Sequence, residues 1–293
     1  MKPTFSPSAS GWLSALAGAV LLVGQADAAT LLDLDDLVRP PATGANTFLL
    51  GTGNDQPSTF SANSSVPSVT FSSQFGYLVV RFDTVTLDGI GDSVTFSYTA
   101  KFTNFDTSSN GVRIGLLHDG GTALTADQAS TNLNSAGLYT GYVGLYRATS
   151  TTAGSLRRRA AGAIPQLLGG TALGGPLLSD TVSGFGIADA SLYYSGSFSV
   201  VRTGLHEVTL ISQFGDQAAQ TAIDDTAGWV SSFNTLAFYT QRSGTTSATL
   251  LEFTGFSITT IPEPESVVLM LGSLGWLAWS LRARGGRPAR GAR

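Results

Sequence analysis

The chain predicts an all-β fold, a two-sheet antiparallel sandwich, set between an N-terminal and a C-terminal apolar segment. Three observations carry this. Between residues 29 and 260 the apolar side chains recur mostly at every second position, and no long stretch keeps the 3.6-residue period of an amphipathic helix. About nine or ten such stretches are separated by connections rich in Gly, Ser, Asn and Thr, as expected of strands folded back and forth in two layers. The composition is 42% hydrophobic and 12% charged with no cysteine, so the core must be large enough to hold without disulfides.

Taken in order, residues 31–41 open with Leu31-Leu32-Asp33-Leu34-Asp35-Asp36-Leu37 and close on Pro40-Pro41, a short first strand and a break. Residues 46–67 read as a loop region around a weak strand at 47–50. Residues 78–87 alternate clearly, with Val80, Phe82, Thr84 and Thr86 opposite Val79, Arg81, Asp83 and Val85. Gly89-Ile90-Gly91-Asp92 turns that strand into 93–102, where Val94, Phe96, Tyr98, Ala100 and Phe102 share one face, and the two read as a half-buried antiparallel hairpin. Residues 112–118 and 141–147 are further strands, with a helical turn expected at 123–130 between them. Residues 148–190 hold Arg157-Arg158-Arg159 and many glycines and read as a flexible insertion over one face. Strand patterning resumes at 197–202, 206–212, 235–241 and 249–259.

Both ends carry the physics of export. Residues 1–28 read as a signal peptide: Lys2, an apolar stretch from 11 to 24, then small residues at Ala26 and Ala28 where a signal peptidase reads, so the mature chain begins near Ala29. At the other end, residues 261–266 (Ile-Pro-Glu-Pro-Glu-Ser) contain Pro262, Glu263 and Pro264. The two prolines fix φ, remove two amide donors and hold the strip extended and accessible to a processing enzyme. An apolar run at 267–281 follows; as a helix its fifteen residues span about 22 Å, short against a hydrocarbon core of about 30 Å. Trp276 and Trp279 suit the interface, Arg282 and Arg284 can snorkel to headgroups, and the basic tail 282–293 prefers the cytoplasmic side. A marginal membrane anchor follows, tail inside and body outside.

The ordered set of Pro262-Glu263-Pro264, apolar helix and arginine tail resembles the PEP-CTERM sorting domain of Gram-negative bacteria. That resemblance implies recognition by a membrane-embedded exosortase, cleavage near the Pro-Glu-Pro motif and release or transfer outward, in species that make extracellular polysaccharide. It divides the chain into a signal peptide (1–28), a body (29–260) and a sorting signal (261–293). A second resemblance lies in the body. Val112-Arg113-Ile114-Gly115-Leu116, then Gly141-Tyr142-Val143, then Phe233-Asn234-Thr235-Leu236-Ala237-Phe238 and a closing strand at 250–258 are similar in order to the concanavalin A-like jelly-roll domains often found in PEP-CTERM proteins. An immunoglobulin-like or other bacterial adhesive sandwich fits the same periodicity.

Charge and motif excludes several functions. Within residues 29–260 ten basic residues face seventeen acidic ones, a net charge of minus seven that disfavours nucleic acid. Glycoside hydrolysis needs two carboxylates some 5–10 Å apart, and the only glutamates of the body, Glu207 and Glu252, lie outside any Glu-x-Asp-x-x-Glu strand. No Gly-x-Ser-x-Gly elbow accompanies His118 or His206, and the glycine run at 169–175 has no lysine to complete a phosphate loop. The expectation is a protein without catalysis. Calcium is the cation best matched to the oxygen ligands available. Asp224-Asp225 head the candidates, with Asp33, Asp35 and Asp36 and with His118-Asp119-Gly120-Gly121; each set is also an ordinary turn or edge feature. Arg157 to Arg159 read either as a contact for acidic polysaccharide or as a solvated loop. Tyr139, Tyr142, Tyr146, Tyr193 and Tyr194 read as sugar-stacking or core aromatics. The partners expected are signal peptidase, exosortase, the inner membrane in passing and extracellular polysaccharide.

Overall fold

The computed structural model describes residues 28–33, 36–37, 48–52, 58–61, 68–71, 75–103, 111–124, 137–146, 154–162, 167–168, 174–182, 191–241 and 249–262. The strands are β1 (Ala29–Asp33), β2 (Phe48–Thr52), β3 (Ser58–Ser61), β4 (Ser68–Phe71), β5 (Phe75–Thr86), β6 (Ser93–Thr103), β7 (Val112–His118), β8 (Thr140–Tyr146), β9 (Gly154–Arg159), β10 (Gly174–Val182), β11 (Tyr193–Gly204), β12 (Glu207–Phe214), β13 (Gln220–Asp224), β14 (Ser232–Gln241) and β15 (Thr249–Ile261). They form two antiparallel sheets. One has the order β13-β12-β11-β6-β15-β4-β3, with β1 also on β15; the other has the order β10-β9-β8-β7-β14-β5-β2. The all-β two-sheet antiparallel sandwich read from the sequence is therefore observed. The compact unit runs from Ala28 to Pro262.

The face assigned to 93–102 forms the centre of the core. Val94, Phe96, Tyr98, Ala100 and Phe102 are all buried between the sheets. Phe238 of β14 meets them from the opposite sheet, edge-on to Phe96, Tyr98 and Phe253 at centroid distances of 6.3, 5.7 and 6.0 Å and stacked on Phe102 at 6.2 Å. Aromatic pairs in this geometry add about 0.5–1.5 kcal/mol each beyond area burial.

A second apolar cluster lies on the other face of the seven-stranded sheet, where Tyr77, Val79, Leu117, Tyr139, Val143, Leu145, Ala237 and Tyr239 are covered by Leu124, Leu167 and Leu168. Burial on both faces explains why β8 is buried along nearly its whole length and why adjacent Val79 and Val80 are both inside.

Two expectations are corrected. Residues 78–87 and 93–102 do not pair as a hairpin: β5 lies between β14 and β2, while β6 lies between β11 and β15 in the other sheet. The connection is an arch. The Leu87 amide donates to the Ser231 carbonyl (2.8 Å), Gly91 N to Arg202 O (2.8 Å) and Arg202 N to Asp92 O (2.9 Å), so the turn is fastened across to other strands. Alternation fixes which residues are buried but not which sheet receives them. The stretch 148–190 is also not wholly loop, since it contributes β9 and β10, paired with each other and through β9 with β8. Its glycines and arginines hid the period of a strand. Of the helical turn expected at 123–130, residues 123 and 124 are described and are not helical, while 125–130 and the segments 1–27 and 263–293 lie outside the described residues.

Candidate functional site

Alternate positions of β6, β11 and β15 that do not face the core are small and hydroxylic. In register they form rows across the outer face of the eight-stranded sheet: Ser97 beside Ser197 and Ser257, with Gln213 beyond Ser197, and Thr99 beside Ser195 and Gly255. Gly255 lacks a side chain where its neighbours have one, and a shallow groove of about 400 Å³ opens along these rows. Some hydroxyls are already tied to each other, Thr99 Oγ1 with Ser195 Oγ at 2.9 Å and Thr95 Oγ1 donating to Ser199 Oγ at 2.9 Å. The groove thus presents a surface of short donors and acceptors without a charged side chain among the residues lining it. The sequence contained a signal for it, the Thr95-Ser97-Thr99 and Ser195-Ser197-Ser199 alternations, which reads only as a solvent face until the strands are placed side by side.

The ends of the body meet. Ala29 pairs with Thr260 and Ile261 pairs with Ser93. Ala28, Ala29 and Pro262 are exposed, so both expected cleavage points flank one end of the sheet. Ala26, Glu263, Pro264, Trp276, Trp279, Arg282 and Arg284 lie outside the described residues.

Asp224 is fully buried. Its Oδ2 accepts from the Tyr142 hydroxyl at 3.0 Å and from Arg158 Nη1 at 3.1 Å, and its Oδ1 accepts from the Thr226 hydroxyl at 2.6 Å and the Thr226 amide at 3.2 Å. The Tyr142 hydroxyl accepts in turn from the Val230 amide at 2.9 Å. Because β8 and β9 belong to one sheet and β13 to the other, this carboxylate joins the two layers. Asp225 beside it is exposed. Arg158 is therefore spent on an internal ion pair and Arg159 is buried, so the solvated-loop reading of Arg157 to Arg159 does not hold. Burial pulls the Arg159 guanidinium down to about 10, with Tyr77 opposing.

Asp119, also buried, accepts from the Gly121 amide at 2.9 Å while its own amide donates to Asn234 Oδ1 at 3.0 Å; Arg81 stands 3.7 Å from its other oxygen. His118 Nδ1 accepts from the Gly120 amide at 3.0 Å. Asp33 and Asp36 hydrogen-bond each other's amides across an exposed turn. Among the described residues no three His, Asp or Glu side chains converge on a point that could hold a metal ion. Glu252 pairs with Lys101, and Glu207 accepts from the Thr203 hydroxyl at 2.7 Å.

Tyr139, Tyr142 and Tyr146 are core side chains, whereas Tyr193 is exposed. Burial is the leading cause that pushes the Tyr77 and Tyr139 phenols up to about 12 and that also raises those of Tyr98, Tyr142 and Tyr146.

These features define, among the described residues, a two-sheet antiparallel sandwich with a polar groove and with the ends of the body paired at Ala29 and Thr260. No protein-family model matches the chain, and no curated protein matches it. Among solved structures it is similar to peanut lectin with a nonamer peptide (10% identity, 80% of this chain and 98% of that chain, TM-score 0.42). It is similar as well to the carbohydrate recognition domain of Emp47p (12%, 79% and 96%, 0.44) and to a carbohydrate esterase from the Shiga toxin-encoding bacteriophage phi24B (9%, 81% and 100%, 0.43). At these identities and TM-scores neither a ligand nor a residue is transferred.

Proposed function

We propose that this chain is an exported, non-enzymatic surface or matrix protein, cut by signal peptidase near Ala29 and by an exosortase near Pro262-Glu263-Pro264, and deposited with extracellular polysaccharide. The observation that carries the reading is where the fold begins and ends. β1 starts at Ala29, β15 stops at Ile261, and the two are paired at Ala29 and Thr260. Cleavage at both sites would remove no strand, hydrogen bond or core residue among the described residues. The test is the intact mass of the protein recovered from the medium and membranes of its native host. A secreted species running from about Ala29 to about Pro264 is expected, with the precursor held on the membrane when Pro262 and Pro264 are both replaced by Ala. Normal processing of that variant would sink the Pro-Glu-Pro reading.

A second reading, a saccharide-binding module, is favoured by the groove. Rows of Ser and Thr hydroxyls with Gln213 at the margin match the many hydroxyls of a neutral glycan. Glycan titration of the body should then weaken when Ser97 and Ser257 are changed to bulkier Leu, at unchanged stability.

A further inference from the structure

The described residues contain eight large apolar side chains that are exposed, and three of them, Ile90, Leu205 and Ile261, lie at the end of the sandwich where the chain enters β1 and leaves β15. Scattered single apolar residues are ordinary on a surface, whereas a contiguous group marks a contact. Three turns make this group contiguous. The β5–β6 arch carries Ile90 (48% exposed), and its Gly91 amide donates to the Arg202 carbonyl. The β11–β12 turn carries Leu205 (73% exposed), whose carbonyl accepts from Arg202 Nη2 at 3.2 Å. The loop after β13 carries half-buried Trp229, with the Arg202 guanidinium 5.4 Å from its ring and the His206 ring 6.5 Å away. Ile261 adjoins them through its pairing with Ser93, next to Asp92, whose carbonyl accepts from the Arg202 amide.

We infer that this end of the sandwich is a membrane-contact face, whose apolar turns enter the headgroup region of a bilayer while the chain is still tethered. The inference rests on the reading that residues 267–281 insert in a membrane. Four residues, 263–266, lie between Pro262 and residue 267, which makes five Cα-to-Cα steps, and a fully extended chain covers at most about 3.3–3.6 Å per step. The anchor therefore holds this end within roughly 17 Å of the apolar layer. The pairing of Ala29 with Thr260 means that the N-terminal apolar segment of the precursor departs from the same end. Trp, Leu and Ile beside an arginine are the residues that favour the interface, an amphipathic ring at headgroup level and aliphatic chains below it. Asp88 and Asp225 are exposed at the same end, so the matching surface is zwitterionic rather than strongly anionic.

The chain has no cysteine, so one introduced thiol is a unique label site. Chains running from residue 29 to 293, with Leu205→Cys or Leu192→Cys, would be labelled with an environment-sensitive dye and reconstituted into phosphatidylcholine vesicles containing spin-labelled lipid. Leu192 is similarly exposed but lies at the opposite end of β11. The expected result is a blue-shifted, lipid-quenched dye at 205 and a water-like dye at 192, with at least a doubling of quenching at 205 over 192. A chain that floats with the vesicles but gives water-like dyes at both positions overturns the inference while leaving the anchor reading intact. Failure to float removes both. A blue shift at 205 that depends on protein concentration and is insensitive to the lipid quencher would assign the face to a second copy of the chain instead. Ile90→Ser with Leu205→Ser should reduce the contact signal of a dye at Ile261→Cys without loss of flotation; an unchanged signal counts against the proposal.

Discussion

At Asp224, on β13 of the eight-stranded sheet, one carboxylate takes five hydrogen bonds, from Tyr142 and Arg158 of the other sheet and from Thr226 in the turn that follows it. Replacing it with Asn keeps the shape, removes the charge and leaves the Arg158 guanidinium, 12% exposed, without its anion. Stripping one member from a buried pair costs about 3–5 kcal/mol. Because the single amide oxygen can take over only one carboxylate oxygen's role, either toward Tyr142 or toward Thr226, and sets an NH2 against the other donor, Asp224→Asn is expected to cost about 3–5 kcal/mol. The urea midpoint should fall accordingly and should not respond to calcium or a chelator in either protein. A wild-type midpoint that drops on chelation, with that response lost in Asp224→Asn, would make Asp224 a metal ligand instead. Nothing local in the sequence could have signalled this arrangement. Asp-Asp before a turn is common, and the partner guanidinium lies 66 positions upstream on a strand whose arginines mask its period. The groove was legible only as an uninteresting polar face, for a related reason: its rows are made by register between strands about a hundred residues apart.

The elements were legible where one face is dry and the other wet. β6 and β7 lie almost where alternation placed them, because in β6 a residue facing the core cannot exchange with a residue facing water. Topology was not legible, as the arch between β5 and β6 shows, and neither were β9 and β10, where glycine and arginine dilute the alternation. Glycine itself is structural at one point of β8. Gly141 has φ +143°, and a Cβ there would lie 2.2 Å from the Leu116 carbonyl oxygen and 2.8 Å from the Leu117 Cα of the neighbouring strand. Backbone cannot step aside as a side-chain tip can. Gly141→Ala is expected to destabilise by about 2–4 kcal/mol, combining overpacking with a backbone conformation that L residues avoid. Gly162 also has positive φ, but its Cβ would meet nothing within 4 Å, so Gly162→Ala should cost only about 1–2 kcal/mol. Equal midpoints for the two variants in chemical denaturation would refute the steric part of this account.

Across the whole molecule, stability leans on tyrosines that the fold keeps neutral. Tyr77, Tyr98, Tyr139, Tyr142 and Tyr146 all have phenols raised above their ordinary value, chiefly by burial. A group whose pKa is higher in the folded than in the unfolded chain contributes stability that is complete below the unfolded value of about 10 and is lost as pH climbs through the folded value. For Tyr77 and Tyr139 that window runs from 10 to about 12, worth roughly 2–3 kcal/mol each. Arg159 works in the opposite sense. Burial lowers its guanidinium to about 10, but one arginine does not offset five phenols. The protein should therefore hold its denaturation midpoint from pH 8 to 10 and lose it steeply above, with phenolate absorbance rising together with unfolding rather than before it. Tyr139→Phe keeps the ring and removes the ionisation, and it should make the alkaline fall shallower. Ionisation of these five phenols in a chain that stays folded would contradict the burial that both cores depend on. The charged groups of this sandwich are few, and its response to pH is set by the aromatic residues that close the two layers.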